Sequence, residues 1–284
     1  MDKELLKEVL SIPTCFGKEE RVREFLINYG VQNNIPVKVD VKGNVYLVKG
    51  FLEEGETYPC VVAHMDTVHF DQQDAITDNT KLIIHEEKTE LGVKLWASIV
   101  DKGVEVQTGI GGDDKAGLFI CLELLKKYDK IIGAFFVEEE FGCKGSSEVD
   151  KEILKDVGYF IQFDAPFNNW CSFTCSNVQL FDSKLFNKIK PTLFKYGQTH
   201  ISNDPYTDVL KLKEFFDVAC MNFFAGYYNM HTASEFVIVE SVEKAVNMGN
   251  EMINVLGLDK QPMKHKKIPN YDLYIKIQNW TKNN

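Results

Sequence analysis

Residues 61–70 read VVAHMDTVHF. The run that leads into them, PCVVA from Pro59 to Ala63, is continuously apolar, the pattern of a strand covered on both faces. It stops abruptly on an imidazole, His64, with a carboxylate, Asp66, two residues further on. In open α/β sheets ligands bind at the C-terminal edge of the strands. A buried strand that ends on His-x-Asp therefore raises the question of which other strands end on polar partners.

Three more apolar runs do. IIGAFFV (131–137) is followed by Glu138, Glu139 and Glu140, VGYFIQF (157–163) by Asp164, and DVACMNFFAGYY (217–228) runs on to His231. A further acidic pair, Asp113-Asp114, opens a helix after the glycine-rich turn TGIGG. Helical periodicity marks residues 2–11, 17–30, 118–128 and 241–257. VKVDVKGNVYLVKG (37–50) reads as two strands around a turn, and 81–85 with 93–99 as a hairpin. Strands alternating with helices predict a three-layer α/β/α sandwich around a mostly parallel mixed sheet. No repeat, low-complexity tract or Pro/Gly linker divides the chain, so residues 1–284 are expected to form one domain.

Bulk composition narrows the function classes. The net charge of −10 argues against a nucleic-acid partner, which would need a basic footprint. No run approaches the roughly 20 apolar residues of a membrane span, and MDKELLKEVLSIP lacks the apolar core of a signal peptide. The seven scattered cysteines include no C-x-x-C pair. The expected location is the cytoplasm, with neither nucleic acid nor membrane as partner.

The sheet would gather His64, Asp113, Glu139, Glu140, Asp164 and His231 at one edge. Several carboxylates cannot stay ionised side by side without compensation, and divalent cations supply it. Two histidines with three or four carboxylates are too many ligands for one tetrahedral zinc and suit two ions sharing a carboxylate. Imidazole with carboxylate favours Zn, with Co or Mn as alternatives. GIGGDDKAG lacks the G-K-[ST] ending of a phosphate loop. His69, His85 and His265 show no acidic partner pattern and read as solvated or structural.

In this order AHMDTV (63–68), GGDDKAG (111–117), EEEFGCKGS (138–146), FDAP (163–166) and GYYNMHTASEFV (226–237) resemble the co-catalytic two-zinc exopeptidases and deacylases. That family includes peptidase T, aminoacylases and glutamate carboxypeptidases, and GGDDKAG with GYYNMHT is most similar to the tripeptidase branch. The resemblance implies that His64 and Asp164 bind one metal, Glu140 and His231 the other, and that Asp113 bridges both. It implies further that Asp66 orients His64 and that Glu139 is the general base acting on a metal-bridging water. Alignment on Phe141-Gly142 sets that register; a slip by one moves the two glutamate roles to Glu138 and Glu139.

Lid-bearing relatives carry an inserted dimerisation domain after the third metal-binding strand. Here only residues 165–230 separate Asp164 from His231, and a strand near 171–181, a helix near 183–196 and the next strand occupy them. The lid is therefore expected to be absent, which leaves the assembly state open. It also leaves His200, Tyr227 and Tyr228 as candidates to replace the lid histidine that stabilises the oxyanion. The implied activity is an aminopeptidase acting on short peptides. The alternatives are a deacylase or carboxypeptidase on N-acyl amino acids, and a metal-binding module without catalysis. No arginine follows Arg23, so a guanidinium clamp for a substrate carboxylate could come only from Arg21 or Arg23, which favours the aminopeptidase, with a lysine as the alternative clamp.

Overall fold

The computed structural model describes residues 1–69, 80–198, 200–204 and 206–267, with the backbone alone for 200–204. Its strands are β1 (Val37–Val39), β2 (Val45–Lys49), β3 (Tyr58–His64), β4 (Ile83–Thr89), β5 (Gly92–Asp101), β6 (Val104–Thr108) and β7 (Ile131–Phe136), followed by β8 (Val157–Ala165), β9 (Trp170–Cys175), β10 (Val178–Gln179), β11 (His200–Asp204), β12 (Ala219–Phe224), β13 (Tyr227–Tyr228) and β14 (Phe236–Ile238). The helices are α1 (Lys3–Ser11), α2 (Glu20–Gln32), α3 (Gly112–Lys127), α4 (Lys144–Ser147), α5 (Lys151–Leu154), α6 (Ser183–Lys195), α7 (Asp208–Phe215) and α8 (Val239–Leu256).

The main sheet runs β1-β2-β7-β3-β8-β12-β9-β10, with β11 added to β9. Its four central strands, β7, β3, β8 and β12, are mutually parallel. Every residue of β3, β7 and β12 is buried, which accounts for their unbroken apolar character. Adjacent residues of β8 show the layering, because side chains alternate across a sheet. Phe163 meets α8 at Gly249, while Gln162 accepts the Val209 N–H of α7 at 3.0 Å. Helix α3 shares the α8 face, where Tyr29 of α2 donates to the Leu122 carbonyl. The fold is the α/β/α sandwich expected from the sequence, with a mixed sheet whose parallel strands are central.

The structure departs from the expected elements in four places. A second, antiparallel sheet orders β13-β14-β5-β4, with β6 paired to β5. The expected hairpin forms part of it, but β6 is too short and too exposed to show as a buried run. The apolar stretch 217–228 is two strands rather than one. The chain bends at Gly226 (φ +92°) and passes from the main sheet into the second, so His231 is delivered by the second. Likewise 171–181 is broken by Ser176-Asn177, both at positive φ, into the β9–β10 hairpin. Beyond α6, residues 200–215 carry β11 and α7, neither of which was expected.

Beyond α8 the tail seals the opposite edge of the sheet: Leu258 O accepts from Thr57 N and Gln261 O from Ala219 N. No helix among the described residues is long and apolar enough to cross a membrane. All seven cysteines are buried and none is disulfide-bonded.

Candidate metal centre

Strand register sets the site. His64, the last residue of β3, pairs with Phe136, so the chain leaving β7 carries Glu138–Glu140 to the same edge. Val62 pairs with Gln162, so β8 delivers Asp164 there two residues later. The start of α3 brings Asp113, and the turn after β13 brings His231 in a left-handed conformation (φ +64°).

Asp113 stands between the histidines. Its Oδ1 is 3.2 Å from His64 Nε2 and its Oδ2 is 3.2 Å from His231 Nε2. Around this axis, Asp164 Oδ1 lies 3.6 Å from His64 Nε2, Glu139 Oε2 lies 3.9 Å from it, and Glu140 Oε1 lies 3.2 Å from His231 Nε2. His64 and the four carboxylates are buried or nearly so, while the His231 side chain is 46% exposed, which opens the site to solvent on that side.

Electrostatics follow from this crowding. Burial pushes Glu139 well above the ordinary carboxylate range and Asp164 to about 8, the latter helped by the Asp113 charge. Burial also raises Glu140. Burial opposes the His64 cation, but hydrogen bonds to Asp113, Asp164 and Asp66 outweigh it and hold the imidazole well above 6.5. Asp113 and Glu140 raise His231 to about 10. Burial would raise Asp113 too, but both histidines hold it below its ordinary value.

This donor set fits divalent cations. Two imidazoles and several carboxylates converge at hydrogen-bonding separations, and the acids need positive charge among them to ionise together. Two trios bring a ligand atom each within 4.8 Å of one another: His64, Asp113 and Glu140, and His64, Asp114 and Asp164. Asp114 differs from Asp113 in what it touches. Its Oδ2 accepts the His64 peptide N–H at 3.3 Å and its Oδ1 the Gly117 N–H at 3.1 Å, the latter capping the helix. The backbone of Asp113 and Asp114 is itself non-helical, so regular helix begins only after them.

Of the three glutamates, Glu138 turns away, its carboxylate 3.1 Å from Lys42 Nζ and 3.7 Å from Lys144 Nζ. Glu139 and Glu140 are the two that face the histidines. The Asp66 carboxylate lies 3.4 Å from His64 Nδ1, but the closer partner of that nitrogen is the Asp66 carbonyl at 3.0 Å. The two carboxylate oxygens instead accept the peptide N–H groups of Glu139 (2.9 Å) and Glu140 (3.1 Å). Asp66 therefore joins the end of β3 to the loop after β7.

Several residues at the site carried no recognisable motif. Thr207 Oγ1 donates to Asp164 at 3.0 Å and to Gln162 at 2.7 Å, and Gln162 Nε2 donates to Asp164 at 3.2 Å. Asn222 accepts the Asp164 N–H and donates to its carbonyl. Tyr227 is buried with its hydroxyl 3.4 Å from Asp164 Oδ1, so it contacts a ligand candidate; Tyr228 stacks on Phe236 and lies 3.4 Å from Ser241 Oγ. The His200 side chain lies outside the described residues. Contrary to the sequence reading, His69 and His85 both have acidic partners: Glu235 at 2.8 Å and Glu105 at 2.9 Å. The Glu235 contact was hidden because its partner is 166 residues away. The only signal was a glutamate four residues after His231, inside HTASEF.

No family model matches the sequence, and no curated protein matches it. Solved structures do match the fold. The aminopeptidase PepT from Bacillus cereus ATCC 10987 superposes with TM-score 0.68 at 14% identity, over 89% of this chain and 97% of that one. A tripeptidase from Staphylococcus aureus subsp. aureus mu50 gives 0.64 at 14% identity, over 89% and 97%. The Pyrococcus horikoshii TET1 peptidase gives 0.59 at 20% identity, over 87% and 98%.

Proposed function

We propose that the chain is a two-metal exopeptidase of the cytoplasm, an aminopeptidase that removes N-terminal residues from short peptides. The observation that carries this reading is one buried carboxylate, Asp113, set between two histidines from different loops at 3.2 Å each, with the Glu139 carboxylate beside His64. The peptidases that share the fold support it. In this reading His64 and Asp164 hold one ion, His231 and Glu140 the other, and Asp113 both. Zn is the expected metal, with Co or Mn as substitutes. When bound, such ions polarise the scissile carbonyl and acidify the attacking water.

The chain's own residues do the rest. Glu139 takes the proton from the attacking water and returns it to the departing amine. Its Oε1 receives the Cys143 S–H at 3.4 Å, and burial gives the carboxylate a raised proton affinity suited to a base. Asp66 holds the Glu139-Glu140 peptide in place, and Thr207, Gln162 and Tyr227 hold Asp164. Phe141, directly after Glu140 and 55% exposed, stacks on Phe16 with centroids 4.5 Å apart, and Lys144 Nζ lies 4.1 Å from the Phe141 ring centre. A free ammonium is the end of the substrate this site favours. Arg21 donates to Thr80 O and Arg23 to Gly43 O, so neither guanidinium is turned to the site as a carboxylate clamp. Seven buried cysteines without a disulfide suit a reducing compartment.

Metal analysis with a hydrolysis panel tests the proposal. Two bound ions with cleavage of aminoacyl-anilides is the expected result. Cleavage of N-acyl amino acids alone would establish the deacylase reading instead, and metal without turnover would leave a binding module.

A further inference from the structure

Glu235 is fully buried, yet no step above uses it. It follows the turn that carries His231, and its own N–H closes that turn on Thr232 O at 3.1 Å. Its oxygens reach the backbone of a second ligand loop: Oε1 accepts the Asp113 N–H at 3.0 Å and Oε2 the Gly111 N–H at 2.8 Å. Oε2 also accepts from His69 Nε2 at 2.8 Å. His69 lies five residues after His64 on the chain that leaves β3, so a third ligand segment meets the same carboxylate.

The packing allows this contact and little else. The His69 ring lies so close over Gly109 that a Cβ there would fall 1.7 Å from its Cε1. The 109–113 segment thus packs against the hydrogen-bonded His69–Glu235 pair with no room for a side chain at 109. Glu235 makes no side-chain hydrogen bond or ion pair with any of the proposed ligands among the described residues; its effect on them passes through peptide N–H groups.

Resting on the two-metal reading above, we infer that Glu235, with His69 as its donor, is a positioning residue that fixes Asp113 against His231 and so forms the ion site shared by Asp113, Glu140 and His231. The other ion site has independent support. His64 is held by β3, and Asp164 by Thr207, Gln162 and Asn222. Loosening Glu235 therefore acts unequally on the two ions: both share Asp113, but only one also depends on the 231–235 turn, and the other keeps the independently held His64 and Asp164.

The test is calorimetric titration of the chelated full-length protein with Zn, for wild type and Glu235→Gln, alongside hydrolysis of an aminoacyl-anilide. Glutamine keeps one acceptor and places an amide N–H against a donor. The expected result is two ions in wild type and, in the variant, a weaker-binding ion whose affinity falls about 10–100-fold, the usual scale for loss of an outer hydrogen-bond partner. The tighter ion changes less than threefold, and kcat recovers when Zn is raised to refill the weak site. Both affinities unchanged, with only a lower melting temperature, would overturn the inference and make Glu235 a plain structural residue. Equal loss at both sites would overturn it too. Should Glu235→Gln not fold, His69→Phe keeps the ring and removes the donor: selective weakening of one ion supports the inference and unchanged binding refutes it. Wild type binding no ion at all would refute the two-metal reading itself, whereas two ions in wild type with an unaffected variant refutes only the role of Glu235.

Discussion

Replacing Asp66 by Asn is the sharpest probe of how the site is built. The Asp66 side chain is fully inaccessible, and its two oxygens accept two peptide N–H groups, from Glu139 at 2.9 Å and Glu140 at 3.1 Å. Asparagine can satisfy one of these; its amide nitrogen then faces the other, leaving a buried donor without a partner. Loss of one hydrogen bond to a charged acceptor, with the orphaned N–H, costs about 2–3 kcal/mol. For a chain of this size that corresponds to a fall of roughly 4–10 °C in melting temperature. The same two N–H groups place Glu139 beside His64 and Glu140 beside His231. A shift of that peptide by about 1 Å costs on the order of 10²-fold in kcat. Asp66→Ala orphans both donors and should cost about twice as much stability as Asn. Thermal melts followed by circular dichroism and steady-state hydrolysis of an aminoacyl-anilide at saturating Zn measure both effects. A variant within 1 °C and twofold of wild type would refute the account. So would Asn and Ala variants of equal stability, since the loss would then follow the charge and not the count of hydrogen bonds.

Glu139→Gln should retain about two ions while kcat falls roughly 10²–10⁴-fold, the range for a lost general base; loss of metal together with an inactive Glu138→Gln variant would show that the glutamate roles are shifted by one. His64→Ala should lower Zn content measured by atomic emission, and an unchanged content would remove His64 from the ligand set. In the chelated protein His231, raised from 6.5 to about 10, and Asp164, raised from 3.8 to about 8, both hold more protons folded than unfolded. Stability therefore falls as pH rises from 6.5 to 10, while the increase in melting temperature on adding Zn widens because the ion needs deprotonated ligands; a chelated protein that gains stability over that range contradicts the assignment.

The sequence exposed those parts of the site that obey a strand-end rule. His64, Asp164 and the glutamate triplet each follow an apolar run long enough to be read as buried, and the parallel register aligns those ends. His231 also followed such a run, but the reading merged β12 with β13, because a bend at one glycine does not interrupt apolar character. The second sheet was only partly legible: β4 and β6 are largely exposed, so burial imposes little pattern on them. Helix α7 buries Val209, Leu210 and Leu212 within a short segment that offers too few turns for a clear period. Glu235, Thr207 and Asn222 were not legible for a different reason. Each acts through hydrogen bonds to residues 43 to 166 positions away, and a local pattern carries no trace of such a partner.

The acids at this edge divide by what fills their oxygens, and the division bears on function. Asp66, Asp114 and Glu235 accept two peptide N–H groups each: from Glu139 and Glu140, from His64 and Gly117, and from Gly111 and Asp113. Their oxygens are filled by fixed backbone N–H groups, and each ties together segments that are distant in sequence. Asp113, Asp164, Glu139 and Glu140 instead turn at least one oxygen towards an imidazole. Backbone N–H groups cannot follow a reacting centre, whereas oxygens that face imidazole nitrogens are paired with groups that can themselves bind a cation or exchange a proton. The resemblance read from the sequence implies Asp113, and not its neighbour Asp114, as the bridging ligand, and the contacts of the two give that choice a physical basis. One has its oxygens on two histidines and the other on two peptide groups, and that difference makes Asp113 the candidate ligand and Asp114 part of the frame that holds it.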